Sequence, residues 1–282
     1  MVWSLQVTPE LSDRQFDEWS KLLEERTGIQ VASQQRVFLQ TQISIRMREV
    51  GHSSYDQYFR QLTEGVKGKI EWSMLVDRLV VKETSFFRHR PSIDYASRLL
   101  QDRINSKTLT DSFDIWSVGC ASGEEPYSLA MAINDRFESA GLDPYYGIVA
   151  TDISLPALNF ARVGVYLPRK LEHIKPVELE RYFQPAEKGC YLIDEVVRKR
   201  VCFTRGNVLN IGEMPAVKMD IIFSQNLLVY FRRWRRREIL NAFVERLKPG
   251  GVLIIGLGEV VDWEHQRVQR VSDDSLQAYI RR

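Results

Sequence analysis

The sequence has little cysteine, little net charge and no long apolar run. Its three cysteines, Cys120, Cys190 and Cys202, are widely spaced and form no CxxC pair. That argues against a disulfide framework or a zinc site, and all three are expected as free thiols. A formal charge of +2 is too small to suggest wholesale nucleic-acid binding. No apolar stretch approaches the roughly 20 residues that a membrane-spanning helix needs, so direct membrane insertion is not expected. The first residues, Met1-Val2-Trp3-Ser4-Leu5-Gln6, lack the basic and apolar regions of a signal peptide, and a cytoplasmic chain is expected. Internal repeats and low-complexity tracts are also missing.

What is there is an ordinary globular composition, 44% hydrophobic and 27% charged, enough for one large domain or two modest ones. Residues 10–80 read as helices. Ser12 with Gln15 forms a capping-box pattern, Phe16, Trp19, Leu22 and Leu23 mark one face, and Gly28 closes the helix. Leu39, Ile43, Met47 and Val50 mark a second helix closed by Gly51, with Arg36, Arg46 and Arg48 as a basic flank. Ser54 with Gln57 opens a third, carrying Tyr55, Tyr58, Phe59 and Leu62. A break from Gly65 to Gly68 separates it from a fourth with Trp72, Leu75, Val76 and Leu79. The result is a small helical bundle, either a packing module or a partner-binding one.

From about residue 110 strands alternate with helices, the pattern of a mostly parallel sheet. Strands are expected at 113–118, 147–151, 220–223 and 252–255, and helices at 124–140, 154–162 and 234–247. Residues 267–271 and 278–281 suit a closing antiparallel pair. Between 166 and 205, Pro168, Pro176, Pro185 and Gly189 accompany strand-like 190–193 and 200–203, which predicts an inserted small β subdomain. The expected division is a helical domain at 1–80, a linker with a helix at 81–110, and an α/β domain at 111–282 with its insert at 166–205.

The chain is organised around the turn after the first strand. Gly119 and Gly123 let a ligand approach the backbone, and Glu124, Glu125 and Pro126 open a helix at once. An acidic pair at a helix N-terminus competes with phosphate, so the ligand predicted there is neutral or cationic. Ligands of open α/β sheets sit beyond the carboxyl ends of the strands. Those ends supply Gly119 to Glu125, Asp152, and Ser224 with Gln225 and Asn226. Asp152 suits a ribose diol, because a carboxylate accepts both hydroxyl protons, although a turn role for a lone Asp is an equal alternative.

Four motifs occur in one order: Glu83-Thr84-Ser85-Phe86-Phe87-Arg88; Gly119-Cys120-Ala121-Ser122-Gly123-Glu124-Glu125-Pro126-Tyr127-Ser128; Ala150-Thr151-Asp152-Ile153 with Ala161-Arg162 and Gly164-Val165-Tyr166; and Asp220-Ile221-Ile222-Phe223 with Asn226 and Tyr230-Phe231. Together they resemble the CheR family of S-adenosylmethionine-dependent chemoreceptor glutamate methyltransferases, over roughly residues 75 to 260. The resemblance implies an N-terminal helical domain and a Rossmann-like methyltransferase domain with an inserted β subdomain. It implies S-adenosyl-L-methionine as cofactor, with S-adenosyl-L-homocysteine as product. The partner it implies is the cytoplasmic helical, glutamate-rich region of a methyl-accepting chemoreceptor-like protein, met by a protein expected to be a monomer.

By the same resemblance, Thr84 and Arg88 cover the cofactor from the linker side. Gly119 belongs to its turn, and Glu125, with Glu124 alongside, lies near the methionine portion. Asp152 holds the ribose, Asn207 and Val208 frame the adenine, Ser224 and Gln225 line the floor, and Tyr230 sits near the transferred methyl group. Arg88 and Tyr230 are the catalytic candidates, and Arg36, Arg46 and Arg48 the receptor-docking ones, since the family uses that helix against its receptor. The sequence departs from the family at Lys82, where Asn is frequent, and at Ser224-Gln225-Asn226, where Cys-Arg-Asn is common. Gln225 is expected to keep a hydrogen bond to the cofactor, and Lys82 to face solvent or substrate.

A glutamate substrate suits these residues. With a reference pKa of about 4.3 it is already an anion at neutral pH and needs no general base, so His89 is expected as a bystander. Two other readings stay open: a catalytically weakened sensory adaptor that binds the cofactor, and a methyltransferase acting on a nucleic acid or small molecule. The run Arg232, Arg233, Arg235, Arg236 and Arg237 around Trp234 opposes the dipole of the helix it starts, as a solvated face or a dock for an acidic surface.

Overall fold

The computed structural model describes residues 10–109 and 112–282. They form two compact units. One takes the residues up to Val81 with Tyr230–Arg232, and the other Lys82–Val229 and Arg233–Arg282.

The first unit is a bundle of α1 (Asp13–Thr27), α2 (Arg36–Glu49), α3 (Tyr55–Thr63) and α4 (Gly65–Leu79). In α1, Ser12 and Gln15 cap each other reciprocally, and Gly28 ends the helix in the left-handed region. The apolar stripes meet as one core that includes Trp19, Leu23, Leu39, Ile43, Tyr58 and Leu75. Two expectations are corrected here. Ser54 precedes α3 but makes no side-chain cap bond. The predicted break at 65–68 is the first turn of α4, because α4 rides on the end of α3. A Cβ on Gly68 would clash with the Gln61 carbonyl oxygen.

The second unit runs α5 (Arg90–Asn105), β1 (Phe113–Val118), α6 (Glu124–Ser139), β2 (Tyr146–Asp152), α7 (Leu155–Val163), β3 (Val165–Tyr166), α8 (Pro176–Tyr182), β4 (Phe183–Pro185), β5 (Tyr191–Ile193) and α9 (Glu195–Arg198). It continues with β6 (Val201–Arg205), β7 (Met219–Ser224), α10 (Arg233–Glu245), β8 (Leu247–Ile255), β9 (Val268–Arg270) and β10 (Gln277–Arg281). The large sheet has the order β6-β2-β1-β7-β8-β10-β9. The first five strands are parallel, and β10 and β9 close the sheet antiparallel. All six residues of β7 are buried, as a central parallel strand covered on both faces requires. Its one charge, Asp220, is met by Arg103, by Lys248 Nζ at 2.7 Å and by the Asp114 amide at 2.7 Å.

Three boundaries move. The strand expected at 200–203 as part of the insert is β6, paired with β2 at the edge of the large sheet. The small antiparallel sheet is β3-β5-β4. Residues 82–109 are integral to the second unit rather than a linker, because Ile93, Ala96 and Leu100 of α5 are buried in the same core as Phe113 and Leu129. The helix expected to reach 247 stops at Glu245, and Leu247 already begins β8. Among the described residues no helix is long and apolar enough to cross a membrane.

Candidate functional site

The strand order sets β6, β2, β1 and β7 side by side, and all four point the same way. Their carboxyl ends deliver Asn207 and Val208, Asp152, Gly119 to Glu125, and Ser224 with Gln225. At about 4.8 Å per strand this row spans roughly 15 Å. Connections run outward in opposite directions from β1 and β7, so the crevice between them is a topological switch point, the usual ligand position in such sheets.

Asp152 ties two loops together. Its Oδ2 accepts the Ala121 amide and its Oδ1 the Ser154 amide, each at 2.8 Å. Burial raises the carboxyl above its usual range, while these bonds and the charge of half-buried Lys82 oppose that rise. The turn itself is closely confined. Gly123 has φ 94°, and a Cβ there would stand 2.7 Å from the Ala161 Cβ, so α6 could not pack on α7. Asn207 accepts the Leu209 amide at 3.1 Å, which caps the short turn carrying Val208.

The adjacent glutamates part ways, as successive residues on a helix must, about 100° apart. Glu124 is fully buried, accepts Ser122 Oγ at 2.7 Å, and pairs with Lys170 Nζ at 3.1 Å. Lys170 also donates to the Thr84 carbonyl at 2.6 Å, so this carboxylate fastens the segment before α5 to the turn. Glu125 instead faces the switch point. It accepts Ser117 Oγ at 2.7 Å and the Gln225 amide, and burial pushes its carboxyl up to about 8. The neighbouring charge of Glu259 raises it further and that of Arg88 opposes the rise. Arg88 is exposed, and its guanidinium donates to the Glu83 carbonyl at 3.1 Å. Cys120 is buried among Asp152, Glu125 and Glu124, which keeps its thiol protonated and unreactive.

The floor differs from expectation at Gln225. Its side-chain amide turns inward, donating to the Ile255 carbonyl at 3.0 Å and to Ser92 Oγ at 3.3 Å, which leaves its backbone N–H to face Glu125. Ser224 is buried and donates to the Val118 carbonyl at 3.3 Å. Glu259, which sequence reasoning missed, is buried beyond β8 and accepts the Gly256 amide at 2.7 Å and the Leu228 amide at 3.0 Å. Its only sequence signal is a Glu following Gly256 and Gly258.

Tyr230 belongs to the first unit, where its carbonyl accepts the Gln30 amide at 2.8 Å. The docking candidates also divide. Arg36 is bonded to Asp13 and to the Leu11 carbonyl, and Arg46 to Glu71 and Glu49, so both guanidiniums are committed inside the bundle. Arg48 is exposed on α2. The arginine run is structural in large part. Arg232 pairs with Glu24, Arg235 with Glu238 at 2.7 Å and Arg233 with Asp262, while Arg236 and Arg237 donate to the Glu259 and Asp262 carbonyls at 2.9 and 2.8 Å.

Glu125, Asp152 and Glu259 gather buried carboxyl groups at the switch point, against Arg88 and Lys82, and the turn leaves no acid-free helix terminus for phosphate. A nucleoside carrying a sulfonium fits this donor set. Comparison with known proteins agrees. The profile described as CheR methyltransferase, SAM binding domain, matches residues 82–277, and that described as CheR methyltransferase, all-alpha domain, matches 14–80. Chemotaxis protein methyltransferase 2 of Vibrio cholerae is 30% identical over 253 residues, covering 88% of this chain and 86% of that protein. The Escherichia coli chemotaxis protein methyltransferase is 30% identical over 252 residues, covering 88% and 85%. The probable biofilm formation methyltransferase WspC of Pseudomonas aeruginosa is 31% identical, covering 86% of this chain and 56% of its own length. The chain therefore belongs to the CheR methyltransferase family, with an all-alpha domain followed by an S-adenosylmethionine-binding domain.

Proposed function

We propose that this protein methylates glutamate side-chain carboxylates in the cytoplasmic helical region of a methyl-accepting chemoreceptor-like protein, giving glutamyl methyl esters and S-adenosylhomocysteine. The observation that carries this reading is that the candidate bases of the site are engaged: Glu125, pushed up to about 8, already accepts Ser117 Oγ at 2.7 Å and the Gln225 amide. His89 Nδ1 is engaged with Ser92 Oγ at 2.8 Å, and the Cys120 thiol is held neutral. A carboxylate nucleophile needs no deprotonation at neutral pH, whereas most amine or hydroxyl substrates do. The cofactor supplies an electrophilic methyl on a cationic sulfur. Glu125 and Asp152 hold and orient it, with Thr84, Gly119, Asn207, Val208, Ser224 and Gln225 shaping its bed. The Glu124–Lys170 pair supports this bed from outside. Alignment then supplies much of the rate, on the order of 7–11 kcal/mol for well-oriented partners.

Arg88 and Tyr230 act in the transfer itself on this reading, Arg88 by steering the substrate carboxylate or closing over the cofactor. Arg88→Ala and Tyr230→Phe should each slow single-turnover methylation, and unchanged rates in both would refute the assignment. The receptor meets α2, whose outer face exposes Val37, Phe38, Ile45 and Arg48. The substrate test pairs a receptor cytoplasmic fragment with the same fragment carrying Gln at its methylation-region glutamates. Methyl transfer to the first and none to the second is expected, and equal transfer to both would rule out glutamate as acceptor.

A further inference from the structure

The strap from Thr84 to Arg90 leads into α5, and the inserted subdomain holds it along its length. Lys170 Nζ donates to the Thr84 carbonyl at 2.6 Å. The fully buried Phe86 ring meets Tyr166 of β3 and Phe183 of β4 edge-on, with ring centroids 4.8 and 5.3 Å away. Arg90, the first residue of α5, forks onto Glu178 of α8, Nη1 to Oε1 at 2.8 Å and Nη2 to Oε2 at 2.9 Å, and donates to the His173 carbonyl at 3.0 Å.

One residue of the strap is strained. Phe87 holds φ 49°, a left-handed conformation that is costly for a bulky side chain and persists where the surroundings enforce it. Two neighbours do so. Its N–H donates to Ser128 Oγ at 2.9 Å, and Ser128 donates in turn to the Glu124 carbonyl at 2.6 Å, in the first turn of α6. Its buried ring lies under the Arg90 guanidinium, with Cζ 3.9 Å from the ring centroid. The left-handed step buries Phe87 and leaves the next residue, Arg88, exposed, where its charge bears on Glu125.

We infer that Arg90 is a positioning residue for Arg88. An ion pair with Glu178 alone would fix the start of α5 and leave residue 87 free to relax. Stacking turns that pair into a clamp on the strained residue. A planar guanidinium lies flat on the ring and forks onto the carboxylate at once, which an ammonium cannot do. Without the clamp Phe87 can leave the left-handed region, and Arg88, one residue on, is aimed elsewhere. The inference rests on the part proposed for Arg88, and the experiment keeps the two apart.

A double-mutant cycle on the full chain compares Arg90→Lys, Arg88→Ala and the two together, each with a thermal melt to establish folding. Two quantities are read: the single-turnover rate on a receptor fragment at saturating cofactor, and the calorimetric Kd for S-adenosylmethionine, which needs no acceptor. Arg90→Lys keeps a charge opposite Glu178 but loses the stack. It should impair whichever quantity Arg88→Ala impairs, by roughly 3- to 10-fold, the size of a lost cation–ring contact. In the Arg88→Ala background it should cost less than about 2-fold, because the residue it acts through is gone. A purely structural role would cost the same factor in both backgrounds. That result, or no loss from Arg90→Lys alone, overturns the inference and leaves the part of Arg88 standing. Arg88→Ala without effect on either quantity removes that part and the inference with it. If Arg90→Lys does not fold, Glu178→Gln, which loosens Arg90 without touching the strap, takes its place in the cycle and decides by the same criteria.

Discussion

Arg46 on α2 grips Glu71 on α4 with two hydrogen bonds, Nε to Oε1 at 2.8 Å and Nη2 to Oε2 at 2.7 Å, and Tyr58 donates to the same carboxylate at 2.6 Å. The pair is largely buried, with 17% and 9% of the two side chains exposed. Removing one partner of such a pair strands the other charge, at a cost of about 3–5 kcal/mol. Arg46→Ala should therefore lower the stability of the bundle strongly in urea unfolding. The double change Arg46→Met with Glu71→Leu should recover most of the loss. A single variant as stable as wild type would show that Arg46 is free for docking after all.

On the proposed function, the receptor is met by the exposed side of α2. Arg48→Glu should slow methylation of a receptor fragment several-fold at low ionic strength while leaving the cofactor Kd unchanged, because charge steering acts on encounter. Salt should narrow the difference between variant and wild type. Identical rates at low salt would exclude the basic face of α2 as the receptor contact.

The two glutamates of the turn should behave differently. Glu125→Gln removes the carboxyl that gives up its proton when a cationic ligand enters the crevice, and should weaken S-adenosylmethionine by at least about tenfold, the size of one moderate charge contact. Glu124→Gln disturbs the pair with Lys170 and should register chiefly as a lower melting temperature. Equal effects of both substitutions on Kd would contradict this division.

The raised carboxyl of Glu125 also sets a sign for pH. Burial lifts it from an ordinary 4.5 to about 8, with Glu259 adding to the rise and Ser117, Gln225 and Arg88 opposing it. Between those limits the folded protein holds a proton that the unfolded chain gives up. Stability without cofactor therefore falls as pH rises through that window. Melting of the cofactor-free protein should drop from pH 5 to pH 8 by less in Glu125→Gln than in the wild type. Cofactor binding near pH 7 should release a proton, seen as a dependence of the calorimetric heat on the ionisation enthalpy of the buffer. A buffer-independent heat would argue against a shifted Glu125.

How much of this was legible in the sequence depends on how local each cause is. The capping box of Ser12 and Gln15, the strand at Phe113–Val118 and the confined turn at Gly123 are written in neighbouring residues, and they form as read. The edge strand Val201–Arg205 was assigned to the wrong sheet because its partner, β2, lies about 50 residues earlier, and pairing at that range leaves no local mark. The same holds for Arg46, whose partner Glu71 is 25 residues away, and for Glu259, which meets Leu228 across 31. Glu124 and Glu125 look equivalent in a string. Only the direction each takes from the helix separates the brace from the ligand face.

Methyl esters report their own chemistry. Transfer of a labelled methyl group from S-adenosylmethionine to a receptor cytoplasmic fragment, followed by mild base, separates a carboxyl ester from every amine, ring or sulfur product. Volatile label released as methanol, in proportion to the glutamates offered, is the predicted result. Label that resists base, or tightly bound cofactor with no transfer at all, would contradict it.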